Sequence, residues 1–415
     1  MSKLQPVRGT HDLLPDEYRR VAHVVDTARE VARLYGYREM ATPIFEFTEL
    51  FARGIGETTD VVSKEMYTFQ DRGGESLTLR PEYTAGICRA FISNGELAQQ
   101  LPLKIFAAGP MFRYERPQKG RQRQFHQIGV ELLGMAGPAG DVEIIACGAS
   151  ILRDLGILER TVLELNTLGD SESRAAYREA LIAYFKAHHD KLSADSRERL
   201  GRNPLRILDS KDPGDRALIA DAPGFGQHLN QKSRDFFAAV TDGVGALGIA
   251  YELNPRLVRG LDYYCHTAFE FTTTELGAQG TVMGGGRYDG LMEIMGGPAT
   301  AGVGWAAGIE RMAMMLAETP SARRPIAVVP VGAGAERPAA GIAERLRRAG
   351  FAVELGYGGN IGKRLKRADK LGASAAIILG EDELAKGEAG LRDLDSGEQT
   401  AVPLVELEER LARFR

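Results

Sequence analysis

The 415-residue chain has little cysteine: Cys88, Cys147 and Cys265, far apart and odd in number. That spacing supplies neither a disulfide framework nor a metal-ligand cluster, and it fits a reducing compartment. Long apolar runs are also missing. No run could span a bilayer, and the N-terminal MSKLQPVRGTHDLLPDE has no apolar h-region, so the cytoplasm is the expected location. Charge excess is missing too. A formal net charge of -4, with 26% charged residues, argues against a protein that coats nucleic acid non-specifically. Any nucleic-acid site has to come from local clustering. What is there is an ordinary globular composition, 44% hydrophobic, long enough for two or three domains. Glycine is abundant, at 49 residues, and much of it sits in short clusters rather than linkers.

The most informative stretch is LPLKIFAAGPMFRYERPQKGRQRQFHQIGVELLG, Leu101 to Gly134. It reads as two strands joined by a basic loop. In Leu103 to Glu115, Ile105, Ala107, Met111 and Arg113 fall on one face, and Phe106, Phe112 and Tyr114 on the other. In the return strand Gln127, Gly129 and Glu131 share a face, while His126, Ile128, Val130 and Leu132 point the other way. An Arg, a Gln and a Glu are therefore expected on one open sheet face, with a pocket over Gly129. A two-residue turn serves an ordinary hairpin. The cationic loop from Arg116 to Arg123 suggests that something anionic is handled. Periodicity alone is met equally well by a surface hairpin with a solvated tip.

Upstream, apolar residues from Val21 to Tyr35 recur at helical spacing, and Gly36 stops that helix. Pro43 begins or edges a short strand, Ile44 to Phe47. Met66–Phe69 and Ser76–Leu79 read as a pair around a turn at Asp71 to Gly74. Arg80-Pro81-Glu82 ends a strand, and Thr84 is the expected N-cap of a helix over 85–93. Polar groups there are well placed for a site, although Glu82 could simply favour the helix dipole. From about 170 to 248 the chain turns helical and charged, which reads as an inserted module. His188, His189 and His228 sit in it on polar ground and are expected to be solvated. GGGRYDG at Gly284 to Gly290 lacks the ending of a P-loop and the context of a dinucleotide fold. Its glycines are expected to let backbone approach a ligand. Next comes a helix with Ile309, Met312, Ala313 and Leu316 as its buried stripe. Arg311 near its start is unfavourable unless an anion sits there too. After a linker at 319–324 the pattern becomes strand–helix alternation. On its second helix Ile361, Leu365 and Ala368 are expected to face the core. Lys363, Lys366, Arg367 and Lys370 make a cationic stripe, either solvated surface or an RNA footprint.

The wording FRYERPQKGRQRQFHQ resembles the second signature motif of class II aminoacyl-tRNA synthetases, in the form found in histidyl-tRNA synthetases. The helix before the Pro43 strand resembles the first class II motif, and GIER (Gly308 to Arg311) the third. RGTHDLLP, TLRPE, LVRGLDYY, GGGRYDGL and RADKLG are similar to further blocks of that family, in order from Arg8 to Gly372. The resemblance implies an α+β catalytic domain built on an antiparallel sheet over 1–322, with the helical insertion at about 170–248. It implies a C-terminal α/β domain with a mainly parallel mixed sheet over 323–415, reading the anticodon. The implied activity is ATP-dependent activation of L-histidine and its transfer to the 3′ end of histidine tRNA, by a homodimer.

The family assigns the α-phosphate of ATP to Arg113 and Arg259, and the nucleotide end to Arg311. Arginine suits these places because its planar fork binds phosphate and stays charged. Mg²⁺ would bridge the remaining phosphates, with no protein metal site. The α-amino group of histidine goes to Glu82, Thr84 and Gln127. The imidazole goes to Glu131 and Tyr264, with Tyr263 beside them. Such a polar pocket rejects apolar amino acids, whose binding would leave its groups unpaired. Gln118 and Arg121 are the expected contacts to the tRNA acceptor end. Two positions depart from the family pattern. Tyr83 stands where bacterial members usually have Gly and would bear on the rim of the amino-acid pocket; Gln122 stands where Tyr is common in the loop and would bear on how the loop meets the tRNA acceptor end. Two rivals are a regulatory paralogue of ATP phosphoribosyltransferase and a sensor of uncharged tRNA. The first typically loses the C-terminal domain and the LVRG arginine, and the second should lose Arg113 or Arg259. All of these are present.

Overall fold

The computed structural model describes residues 4–56, 59–258, 263–277 and 280–415, with nothing to say of the Asp209 side chain. Arg259, a candidate catalytic residue, lies outside the described residues. The chain divides into two compact units, Met1–Thr319 and Pro320–Arg415.

The first unit opens with α1 (Pro15–Leu34). Pro15 sits in the first turn, where a missing N–H costs nothing, and Asp16 and Glu17 meet the positive dipole end. Val21, Val24, Ala28, Val31 and Ala32 are its buried stripe, and Gly36 ends it at φ +81°. Next come β1 (Arg38–Glu39), β2 (Phe45–Phe47), α2 (Thr48–Ile55), β3 (Tyr67–Gln70), β4 (Ser76–Leu79), α3 (Thr84–Ser93) and α4 (Gly95–Ala98). The long hairpin is β5 (Leu103–Phe112) and β6 (Gln124–Leu133), followed by α5 (Pro138–Asp154) and β7 (Val162–Thr167). The insertion holds α6 (Ser171–Ala187), α7 (Ala194–Arg202), α8 (Pro213–Ala220) and α9 (Gln231–Ala246). Each has a side chain at its N-cap that accepts a first-turn N–H: Asp170, Ser193, Asp212 and Asn230. The unit closes with β8 (Glu252–Leu253), β9 (Cys265–Thr272), β10 (Thr281–Arg287), α10 (Leu291–Ile294), β11 (Gly302–Gly308) and α11 (Ile309–Met315).

The main sheet has the order β1-β5-β6-β11-β10-β9-β7-β8. Only its two edge pairings, β1–β5 and β7–β8, are parallel; the pairs between are antiparallel. The expected alternation holds. Phe106, Ile128, Val130 and Leu132 pack into a core with residues of α1, α5, α9 and α11. Ile105, Ala107 and Met111 pack on the other face with Tyr83, Phe91, Tyr263, Tyr264 and Tyr288. A separate small sheet, β2-β4-β3, is antiparallel.

Several expectations need correction. Thr84 does not cap α3; the Glu82 carboxylate does, accepting the N–H groups of Thr84 (2.5 Å) and Ala85 (2.8 Å). α11 ends at Met315, so Leu316 is buried just beyond it. His188 and His228 are half-buried beside the rings of Tyr184 and Tyr177, while His189 is exposed.

The second unit contains β12 (Ile326–Pro330), α12 (Glu336–Arg348), β13 (Val353–Leu355), α13 (Ile361–Lys370), β14 (Ala375–Leu379), α14 (Glu381–Ala385), β15 (Glu388–Asp393), β16 (Gln399–Pro403) and α15 (Leu407–Arg410). Its sheet runs β13-β12-β14-β15-β16. The first three strands are parallel, and β15 and β16 add an antiparallel flank. On α13, Ala368 is buried and Leu365 partly so, but Ile361 is exposed. Arg364 takes an inward place instead, with its guanidinium on Pro330 O and Glu336.

Candidate active site

A cavity of about 850 Å³ runs along the middle strands of the main sheet, with Gln127 of β6, Gly304 of β11 and Gly284 of β10 in its wall. Of the candidate residues, Glu82, Thr84, Arg113, Arg121, Gln127, Tyr263, Tyr264 and Arg311 line it; Glu131 and Gln118 do not. Three segments far apart in sequence meet here because antiparallel pairing stacks β6, β11 and β10 side by side.

Glu131 lies beneath the cavity wall. It is 4% exposed, and its carboxylate accepts Thr84 Oγ1–H at 2.6 Å and the Tyr288 phenol. It can lie there because Gly304 has no side chain: a Cβ on that glycine would overlap the carboxylate. Burial pushes its pKa up to about 8, against the pull of the two hydroxyls, and the neighbouring Glu82 pushes the same way. The open face over Gly129 is not found. A Cβ there would meet Trp305 O at 2.8 Å, so the adjacent strand occupies that space. Two glycines of GGGRYDG likewise admit protein, Gly285 facing the Gly304–Trp305 backbone and Gly286 the Tyr264 ring, while Gly284 lines the cavity as expected.

Glu82 is also buried, and burial raises its pKa, while the N–H groups of Ala85 and Thr84 and the Arg113 charge oppose the rise. Gln127 Oε1 is buried with no hydrogen-bond partner among the described residues. An acceptor left in that state is costly unless a donor arrives. Tyr263 and Tyr264 stand side by side, ring centroids 4.6 Å apart. Thr84 therefore bridges two groups that the motifs list separately, because its hydroxyl reaches Glu131.

The cations gather around the hairpin loop. Arg113 is anchored by its Nε on Pro81 O (3.0 Å) and lies over the Phe125 ring. It makes no ion pair among the described residues. Arg311 donates from Nε to Gly120 O (3.0 Å) and from Nη1 to Thr281 O (2.7 Å). Burial lowers its pKa, and the nearby Arg121 and Arg113 add to that. An anion would relieve this crowding. Arg121 is held by both oxygens of Glu115, and its backbone pairs with that of Gln118 in both directions. Gln118 itself is exposed. Tyr83 is not at the rim. Its hydroxyl sits over Gly109 and takes a bond from Arg80 (3.1 Å), whose guanidinium lies on the Tyr83 ring. Gln122 does line the cavity. In the second unit Lys363, Lys366, Arg367 and Lys370 are all exposed, with Arg367 paired to Glu354.

Sequence reasoning missed Tyr288, Glu115 and Glu310. Glu310 accepts the His126 N–H and contacts the His126 ring at 2.7 Å, which ties α11 to β6. For Tyr288 a signal existed: period-two alternation puts Gly284, Gly286 and Tyr288 on one face, away from Arg287. Arg287 is fully buried and pairs with Asp141 and Asp289. The site can therefore hold a polar ring beside buried carboxylates, Glu82 in the cavity lining and Glu131 beneath it, and place phosphate among arginines.

Residues 9–312 match the family model described as histidyl-tRNA synthetase, and residues 325–413 match one described as anticodon binding domain. The chain is 62% identical over 415 residues to a histidine–tRNA ligase of Rhodospirillum rubrum, covering all of both chains. It is 60% identical over 404 residues to that of Gluconacetobacter diazotrophicus, covering 97% of each. Among solved structures it is similar to the apo histidyl-tRNA synthetase of S. aureus, with a TM-score of 0.83 and 35% identity over 98% of this chain and 99% of that one.

Proposed function

This chain belongs to the histidyl-tRNA synthetase family, and on that premise we propose how its site performs the family's reaction: ATP and L-histidine give histidyl-adenylate and pyrophosphate, and the histidyl group then passes to histidine tRNA. The histidine carboxylate attacks the α-phosphorus as the bond to pyrophosphate breaks. Two anions must approach, so cations around the phosphorus lower the barrier. Arg113 and Arg259 take the α-phosphate and Arg311 the nucleotide end. The α-amino group donates to Glu82 and to the waiting Gln127 Oε1. Glu131 accepts an imidazole N–H, Tyr264 serves the other ring nitrogen, and Tyr263 closes the wall. Thr84 works from the side by holding Glu131.

Mg²⁺ belongs to the nucleotide in this proposal. Three of the cavity carboxylates are already engaged, Glu82 by N–H groups, Glu115 by Arg121 and Glu310 by His126, and the fourth, Glu17, is exposed near His11. An ion carried on the phosphates suits such a site better than a protein cage. Gln118 and Arg121 meet the tRNA acceptor end once Arg121 leaves Glu115. The second unit reads the anticodon, with Lys363, Lys366, Arg367 and Lys370 on the RNA backbone. A homodimer forms through the small sheet, where Phe45, Phe47 and Phe69 are exposed. α1 spends its apolar stripe inside its own chain, so it adds only its outer face. Among the described residues no helix is long and apolar enough to cross a membrane, and we place the reaction in the cytoplasm.

The observation that carries this reading is the buried carboxylate of Glu131, held by two hydroxyls beside a cavity that also contains Arg113 and Arg311. ATP–pyrophosphate exchange with each amino acid tests it. Exchange should depend on histidine; equal rates with other amino acids would defeat it.

A further inference from the structure

His266 is the only non-glycine residue with a positive φ among the described residues, at +45°. Left-handed backbone is strained for an ordinary L-residue, worst for a β-branched one, and better tolerated by Asn and His. It falls where β9 and β10 lose register. Gly286 faces Ala268, but the next residue, Arg287, faces Cys265. His266 and Thr267 therefore bulge out of the pairing. Immediately before this bulge stand Tyr263 and Tyr264, which line the cavity. The Tyr264 ring lies over Gly286, where a Cβ would come within 2.9 Å of it.

The bulge is gripped by the helical insertion and the two residues that lead into it. Leu168 N–H donates to His266 O (2.6 Å), and His266 N–H donates to Gly169 O (2.8 Å). Arg174 of α6 donates from Nη1 to Tyr264 O (2.9 Å). The His266 ring stacks on Phe236 of α9, centroids 4.6 Å apart. Its Nδ1 is buried without a hydrogen-bond partner among the described residues. The ring thus contributes a stack and no Nδ1 bond, and the position's main contribution is the direction of the backbone.

We propose that His266 is a positioning residue for the amino-acid pocket: its left-handed turn, held by the insertion, aims Tyr263 and Tyr264 into the cavity. This rests on the reading of those tyrosines as histidine contacts given above. The insertion is then more than an appendage, because the residues that lead into it and two of its helices hold the wall that reads the imidazole.

The test compares His266→Gly, His266→Asn and His266→Val in the full chain, by pyrophosphate exchange with KM measured for histidine and for ATP. Gly and Asn adopt positive φ and should keep the histidine KM within about threefold of the parent. Val should raise it about tenfold or more, with the ATP KM unchanged within about twofold, because strain at this turn displaces the tyrosines and leaves Arg113 and Arg311, which are held on other elements, in place. Thermal melts check folding, and His266→Ala, less strained than Val, replaces it if Val does not fold. An unchanged histidine KM in the Val or Ala variant overturns the proposal. So do equal losses in the Gly and Val variants, or a parallel rise in the ATP KM. A parent chain without histidine-dependent exchange is a different result: it removes the functional reading and the inference with it.

Discussion

Replacing Tyr288 with Phe removes one hydroxyl and little volume. In the structure that hydroxyl is one of two donors to the buried Glu131. A hydrogen bond to a charged group contributes about 1.5–3 kcal/mol. At about 1.4 kcal/mol per pKa unit, its loss lifts the Glu131 pKa by about 1–2 units. The starting point is already about 8. Near pH 7 roughly a tenth of the free enzyme then carries the carboxylate, and the variant a tenth to a hundredth of that. If the carboxylate is the form that accepts the imidazole N–H, the histidine KM should rise about 10–100-fold near pH 7. The ATP KM should stay put. Raising the pH should restore binding, later in the variant than in the parent. Exchange kinetics from about pH 7 to 9.5 make the comparison, a range in which free imidazole, with a pKa near 6.5, is mostly neutral. A histidine KM that is unaltered by the substitution, or flat with pH in both proteins, refutes the reasoning. The same group bears on stability. Its folded-state value is raised, so the folded chain holds a proton that the unfolded chain has lost between about pH 4.5 and 8. The stability is fully present below the ordinary carboxylate range and is lost as pH rises through 8, at up to about 1.4 kcal/mol per unit. Glu131→Gln should flatten that part of the thermal-melting profile.

Arg259→Ala should lower histidine-dependent exchange by about 10²–10³ with the melting temperature unchanged, and a few-fold effect would reject its phosphate role. Arg287→Ala leaves Asp141 buried without its guanidinium and should cost about 3–5 kcal/mol in denaturant unfolding; a loss under about 1 kcal/mol would mean water or a rearrangement replaces the pair. Reversing two charges among Lys363, Lys366, Arg367 and Lys370 should weaken tRNA binding and reduce its salt slope by roughly 0.7–0.9 per lost phosphate contact. An unchanged slope would make the stripe a solvated helix face. Light scattering should give twice the 45.1 kDa chain mass, and a monomer at micromolar concentration would remove the small sheet as an interface.

The sequence by itself determined what local periodicity and local wording encode. Alternation in β5 and β6 separated Ile105 and Met111 from Phe106 and Val130 correctly, because side-chain direction in a strand depends only on parity. Helical spacing found the stripe of α1, and the ordered motifs carried the family. Only the tertiary structure decided which groups meet. Tyr288 reaches Glu131 across 157 positions of sequence, and that contact depends on β6, β11 and β10 lying side by side, which no local pattern contains. The space over Gly129 looked open because an absent side chain marks space without saying what fills it; the backbone of β11 fills it. Tyr83 was expected to shape the rim, yet Arg80 binds its hydroxyl inward, in the space that Gly109 leaves. Arg364 and Ile361 exchanged places for a similar reason. Burial of a guanidinium depends on whether carbonyls and a carboxylate wait for it, here Pro330 O and Glu336. Polarity along one helix cannot report that, because the partners belong to other elements.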